Sequence, residues 1–446
     1  MRGVLNLAAG SANPSVRLPV RGSRDPALHF PGMIPSLRSA FNSTYKPEKY
    51  RALLQKLETR CGVRIGFRVS ETPCFLPQGL IERLAEEGKE LIRQLVDSPA
   101  YHERSNRSIP PKFCVSREDA HPLFVQVDFG LVRDPAGDLQ PKLVELQAFP
   151  SLYAYQPILA ESYRDVFELD SLPGPNAPAT AGATRPDAGR RPGLRYFLSG
   201  LDEHSYRELL RRAIVAGHDP ENVILMEIDP LRQKTLPDFL ATEKLLGIRT
   251  VDIRALKKEG NRLCYEDSGR QVPVRRIYNR AIVDELERKG VRLNFDFRDD
   301  LEVEWAGHPN WYFRISKFAI PYLQHPSVPK TWFLDQMERV PEDLENYALK
   351  PLYSFAGLGV VIAPRKQDIQ AVPRERRAEH ILQERLHFAP VIETPHGATK
   401  VEVRVMYVWL EELTPVLTIL RMGRGLMMGV DHNRDMQWVG SSAGFF

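Results

Sequence analysis

YALKPLYSFAGLGVVIAP, residues Tyr347–Pro364, places a glycine loop between two short apolar runs. Lys350 closes the first run, Gly357 and Gly359 punctuate the loop, and Val360 to Ala363 leave it. The pattern predicts strand, glycine loop, strand. Glycines spaced in this way let backbone N–H groups approach a phosphate chain with no Cβ in between, and a lysine beside them adds a point charge. An ordinary surface hairpin has the same vocabulary, so the meaning of the stretch depends on the rest of the chain.

The rest is a globular chain of balanced charge. At 446 residues and 43% hydrophobic it can bury two or three connected cores. With 61 basic against 57 acidic residues and a net charge of +4, there is no basic stripe that would call for nucleic acid. Cys61, Cys74, Cys114 and Cys264 form no CxxC pair and no zinc spacing, which points to a reducing, cytoplasmic setting. No apolar run reaches the roughly 18 residues of a membrane helix.

Along the chain, the Pro-, Ser- and Arg-rich start predicts disorder, with the fold beginning near Asn42. Lys46 to Arg60 and Gln78 to Asp97 have helical periodicity; Leu80, Leu84, Leu91 and Leu95 form the core stripe of the second. Leu123 to Leu131 and Lys142 to Ala148 alternate apolar and polar residues about a turn at Asp134 to Asp138, which predicts an antiparallel pair with one wet face. Strand parity puts Glu145 and Gln147 on one face. Ser171 to Gly193 is too rich in proline and glycine to bury anything and reads as a linker. Beyond it, helix Asp202 to Ala216, strand Val223 to Ile228, helix Thr235 to Leu246, strand Ile248 to Ile253, strand Val274 to Tyr278 and helix Ala281 to Lys289 make a small Rossmann-like block. It lacks the glycine fingerprint of a dinucleotide site.

The last 150 or so residues add an ordered set of polar motifs. These are Lys317 in RISKF, Lys350 with its glycine loop, Gln383 and Glu384 in ILQERL, Arg404 in EVRVMY, Arg421 in LRMGRG and Asn433 in DHNRD. Their order resembles the first two-thirds of an ATP-grasp ligase. The family's final third, an aspartate and a Glu-x-Asn-x-x-Pro strand, resembles Asp128 and VELQAFPS near the start of the chain. Such a circularly permuted order is similar to the glutathionylspermidine synthase branch, over about Leu123 to Phe446.

The resemblance implies an α/β and α+β protein with a permuted ATP-grasp fold. Residues 1–41 would be disordered, 42–170 would carry helices and the permuted metal-binding strands, and 171–194 would be a linker. Residues 195–300 would form the Rossmann-like domain and 301–446 the nucleotide-binding part. It implies ATP held by Lys317, Lys350, Gly357, Gly359, Gln383 and Glu384, and Mg²⁺ held by Asp128, Glu145 and Gln147. Arg404 and Arg421 would neutralise the transferring phosphoryl group or grip a substrate carboxylate. The partners would be a small-molecule or peptide carboxylate and an amine. Gln147 departs from the family's asparagine, and Gln126 stands where the branch has an arginine.

Rival readings remain open at this level. Asp128 and Glu145 also suit the solvated face of an edge hairpin, and Arg404 and Arg421 also suit ion pairs with Glu402 or surface acids. A degenerate relative that binds nucleotide or peptide without catalysis fits the Gln147 departure, and a kinase-like transfer would need the same phosphate site. GSSAG at Gly440 to Gly444 matches a nucleophile elbow but has no helix or histidine after it. Asp431, Asn433 and Asp435 imitate a calcium loop without its glycine and final glutamate, and read as a turn.

Overall fold

The computed structural model describes residues 33–172, 193–354 and 357–446. The expected disorder over 1–41 and the expected linker over 171–194 fall mostly on residues 1–32 and 173–192, outside the described residues. The expectation of a fold starting near Asn42 is corrected. A helix runs over Pro35–Thr44 and buries Leu37 and Phe41, one turn apart on one face. The helices expected next span Pro47–Cys61, closed by the left-handed Gly62, and Gln78–Val96.

A six-stranded sheet organises the molecule. Its main path runs Gly440–Ser442, Leu413–Gly423, Thr399–Trp409, Phe124–Arg133, Leu139–Gln147, and Pro390–Ile392 pairs with Thr399–Trp409. An early hairpin and a late one therefore lie side by side, antiparallel throughout. Period-2 alternation then divides the side chains between two faces. Val125, Val127, Phe129 and Leu131 share a core with Val401, Val403, Val405 and Tyr407 and with Leu80, Leu84 and Leu91 of helix Gln78–Val96. Each such buried leucine or valine is worth about 1.5–3 kcal/mol. Gly88 permits the closest approach: a Cβ there would stand 2.0 Å from the Tyr407 hydroxyl, which donates to the Ala85 carbonyl at 2.9 Å.

The opposite face carries Gln126, Asp128, Glu402 and Arg404. The wet face expected of the early hairpin is corrected here. Phe124–Arg133 is an interior strand, and Gln126 and Asp128 are buried, because Thr399–Trp409 adds to its second edge. Their face is turned to a charged cleft.

The middle block is a four-stranded parallel sheet, ordered Glu304–Ala306, Arg276–Asn279, Val223–Glu227, Arg249–Asp252. Its fourth strand lies beyond residue 300, where the sequence suggested a boundary. Helix Leu236–Leu246 connects two of the strands, and helix Glu203–Ile214 starts at a reciprocal capping box between Asp202 and Ser205. An antiparallel sheet of Lys257–Glu259, Arg262–Asp267 and Arg270–Val274 is inserted in the chain between the parallel strands Arg249–Asp252 and Arg276–Asn279.

A third antiparallel sheet, ordered Thr331–Phe333, His380–Glu384, Tyr347–Pro351, Val361–Ile362, contains Lys350. Strand, glycine loop and strand are all present, and Leu334, Leu344, Leu349, Ile369, Val372 and Leu382 form a small core of their own. Among the described residues no helix is long and apolar enough to cross a membrane.

Candidate active site

The six-stranded sheet, the sheet that carries Lys350 and the carboxyl ends of the parallel strands enclose a cleft of about 800 Å³. Lys317, Lys350, Gln383, Glu384, Arg404, Arg421, Glu145 and Gln147 line it, and Asp128, which is buried, does not. Lys350, in the middle of Tyr347–Pro351, is buried; its Nζ donates to Gln383 Oε1 and, at 3.3 Å, to the Val144 carbonyl. Burial lowers its pKa to about 8. Lys317 opens a short 3₁₀ turn capped by Ser316, and its Nζ donates to the Ser354 carbonyl at 2.6 Å and stands 3.5 Å from Glu145.

Both glycines are in the left-handed region, Gly357 at φ 75° and Gly359 at φ 73°; Gly357 lines the cleft and Gly359 lies against Pro351. A Cβ on Gly357 would come within 2.7 Å of the Met427 methyl, so the loop closes against residues 423–429. Leu386, Phe388, Met427 and Met428 give the adjoining wall an apolar surface. Glu384 also lines the cleft and accepts the Lys330 N–H at 3.2 Å.

A charged row crosses the main sheet beside the lysines. Arg404 lies directly across from Asp128 and Glu402 across from Arg421. Arg404 grips Asp128 with two parallel bonds, Nε to Oδ1 at 2.5 Å and Nη2 to Oδ2 at 2.7 Å. Arg421 donates to the same Oδ2 and pairs with Glu402. Burial alone would raise the Asp128 carboxyl, but Arg404 and Arg421 outweigh it and hold the carboxyl below its ordinary value. Glu402 goes the other way: burial raises it, and Asp128 and Glu145 add to the rise against the pull of Arg421.

Magnesium needs hard oxygen ligands that are open to it. Both Asp128 oxygens are taken by guanidinium groups. Glu145 stands 3.5 Å from Lys317 and 3.7 Å from Arg404. The Gln147 amide N–H donates to Gln126 Oε1 at 2.9 Å, and that oxygen also receives Arg404 Nη1 at 3.0 Å. As arranged, the expected trio does not fit a magnesium site, and Asp128 serves instead as an anchor for guanidinium groups. Among the described residues, no three His, Cys, Asp or Glu side chains are placed to share a metal ion.

The sequence reading missed the opposite wall. Arg280 and Glu227, each 3% exposed, sit at the carboxyl ends of parallel strands and line the cleft. Arg280 has aromatic rings on two sides, Phe149 at 5.1 Å and Phe239 at 5.4 Å, and is 4.0 Å from Asp238. Its Nε and Nη1 have no hydrogen-bond partner. Burial pushes the Glu227 carboxyl up to about 8. The tendency of open α/β sheets to bind ligands beyond the carboxyl ends of their strands is the signal that could have found both.

Asn433 and the GSSAG strand lie away from the cleft lining. Asn433 is buried and bonds the backbone of Arg424, Gly425, Met427 and Gly429, which fixes the loop that meets Gly357. Gly440–Ser442 is a sheet strand whose Ser442 hydroxyl donates to the Thr72 carbonyl, the environment of a packed residue. Asp431 pairs with Lys234 at 2.7 Å across the cleft mouth, in a short 3₁₀ turn, Val430–Asn433.

No family model matches this chain, and no curated protein matches it. Among solved structures it is similar to a glutathione synthetase-like effector from Globodera pallida in its apo form. The TM-score is 0.54 at 11% identity, over 89% of this chain and 98% of the other. At that identity the likeness is one of fold.

Proposed function

We propose that this chain is an ATP-grasp ligase with a circularly permuted motif order, which joins a carboxylate to an amine through an acylphosphate. The observation that carries the reading is the convergence of Lys317, Lys350, Arg404 and Arg421 on a single cleft that is also lined by a buried arginine, Arg280, whose Nε and Nη1 have no hydrogen-bond partner among the described residues. Four cations suit a polyphosphate, and a guanidinium with open donors suits a carboxylate. The pairing of the early hairpin with the late one is the arrangement a permuted chain needs, and the likeness in fold to a glutathione synthetase-like protein supports it.

On this reading the adenine lies in the apolar slot beside Leu386, Phe388 and Met428, with the backbone after Glu384 along its edge. Lys350 and Lys317 hold the inner phosphates, and the glycine loop covers them. Arg421 and Arg404 face the terminal phosphate. Arg280 docks a carboxylate of the acid substrate. A carboxylate oxygen attacks the γ-phosphorus, the bond from that phosphorus to the β–γ bridging oxygen breaks, and ADP leaves. The amine then attacks the acyl carbon, inorganic phosphate departs and an amide remains. The protein's part is positioning and charge, the terms that dominate phosphoryl transfer.

A second reading, a nucleotide-binding protein without ligase activity, is favoured by one observation, the engagement of both Asp128 oxygens by Arg404 and Arg421. ADP release over a panel of amino acids, peptides and polyamines separates the two. A ligase releases ADP with some acid and, with hydroxylamine in place of the amine, yields a hydroxamate. Nucleotide binding with no ADP release for any acid would leave the binder.

A further inference from the structure

We propose that nucleotide binding in this cleft is independent of a protein-bound divalent cation, and that Asp128 is a positioning residue which fixes Arg404 and Arg421 toward the terminal phosphate. The inference rests on the nucleotide reading above. It starts from the donor set. Asp128 is buried and faces two guanidinium groups, both oxygens engaged. An ion seated on Glu145 would be pressed against Lys317 and Arg404, the two cations that already flank that carboxylate at 3.5 and 3.7 Å. The Gln147 Nε2 is tied to the Gln126 Oε1 that also receives Arg404, and Gln126 in turn donates to the Ser151 carbonyl, so the one neutral oxygen of the expected set, Gln147 Oε1, stands without an open carboxylate beside it.

The cations meanwhile line the cleft themselves. Arg421 uses Nη2 on Asp128 and Glu402, which leaves the donors on Nε and Nη1 at the cleft surface it lines. A planar fork held rigidly on one side presents its other side with little ordering still to be done. Arg404, anchored by two bonds to Asp128, adds its charge directly behind. The pair is fixed by one carboxylate at the centre of a sheet, and that is the geometry from which preorganised charge acts on a phosphoryl group.

The test is ATP and ADP affinity by titration calorimetry, in EDTA and in magnesium. ATP is expected to bind in both, with dissociation constants that agree within about threefold. A loss of more than about tenfold in EDTA would overturn the inference while leaving the nucleotide reading intact. No binding in either buffer would end both. Asp128→Asn, nearly isosteric, then reads the positioning role. In EDTA it is expected to weaken ATP by about tenfold or more and leave ADP within about threefold, since only ATP carries the phosphate that the guanidinium groups face. A structural collapse would weaken both nucleotides. Equal losses for ATP and ADP, or unchanged ATP affinity, would refute the role. If Asp128→Asn does not fold, Arg421→Gln, at the more exposed end of the pair, is read by the same ATP-to-ADP comparison with the same outcomes.

Discussion

Lys350→Met tests the phosphate site with two readouts that move differently. Methionine keeps most of the length and apolar bulk and removes the charge and its donors. A charge-assisted contact is worth about 1.5–3 kcal/mol, so ATP affinity should fall by about 10- to 150-fold. Stability is a near balance. Gln383 Oε1 loses its donor while its Nε2 already has no partner, and an unsatisfied buried amide costs about 1–3 kcal/mol. Against this, a buried ammonium disappears whose pKa had dropped from 10.5 to about 8, a burial cost of about 3 kcal/mol. The melting temperature should therefore shift little while the dissociation constant rises steeply. The pH dependence follows with its sign: the charge that attracts phosphate is present below about 8 and lost above it, so wild-type affinity declines as pH rises through that value. The Met variant should lack that decline. Calorimetric titration at pH 7 and pH 9 checks both, and an unchanged affinity in a folded variant would refute the phosphate role of the strand and its loop.

Three further outcomes are expected. Arg280→Lys keeps the charge but loses the fork, and should raise the KM for an accepted acid by about tenfold or more with the ATP affinity unchanged, measured by ADP release at saturating ATP. Glu227→Gln should remove a pH trend in stability. The folded-state pKa of about 8 lies above the ordinary 4.5, so the folded chain keeps a proton that the unfolded chain has lost; stability is full below pH 4.5 and falls as pH rises toward 8. By thermal melting, the variant should exceed the wild type at pH 8 by on the order of 4 kcal/mol and match it near pH 4.5. Gly88→Ala sets a helix-propensity gain of about 1 kcal/mol against a clash with the Tyr407 hydroxyl worth about 1–3 kcal/mol. Net destabilisation is expected in chemical denaturation, and adding Tyr407→Phe should recover part of it.

Local patterns were legible where their partners were local. The helix Gln78–Val96 follows from its leucine spacing, and the stretch Tyr347–Pro364 from two short runs with glycines between. The parallel unit follows from alternating strands and helices closed by Gly217 and Gly247. What the pattern left out was non-local. Nothing within Phe124–Arg133 announces that Thr399–Trp409 pairs with it, and that pairing changes an apparent wet face into a buried one. Pro35–Thr44 was hidden for another reason: its proline, serines and arginine match the composition ahead of it, and only the Leu37 and Phe41 pair marks it as packed.

The site shows the same division between residue identity and residue use. Parity and order placed Glu145, Gln147, Arg404 and Arg421 near one another, and the cleft contains all four. Parity says which face a side chain occupies and leaves open which neighbour claims it. Asp128 and Arg404 are directly opposed across a ladder, and in a buried site a carboxylate and a guanidinium at that separation must pair, since either one alone would bear its full desolvation cost. Once the late hairpin is in place the pairing follows, and with it the change of Asp128 from open ligand to anchor. Arg280 shows the converse. Its short-range sequence, YNRAI, carries no motif, yet the sheet end, the flanking rings and the two nitrogens that have no hydrogen-bond partner among the described residues leave a buried cation, 4.0 Å from Asp238, with donors still open toward the cleft.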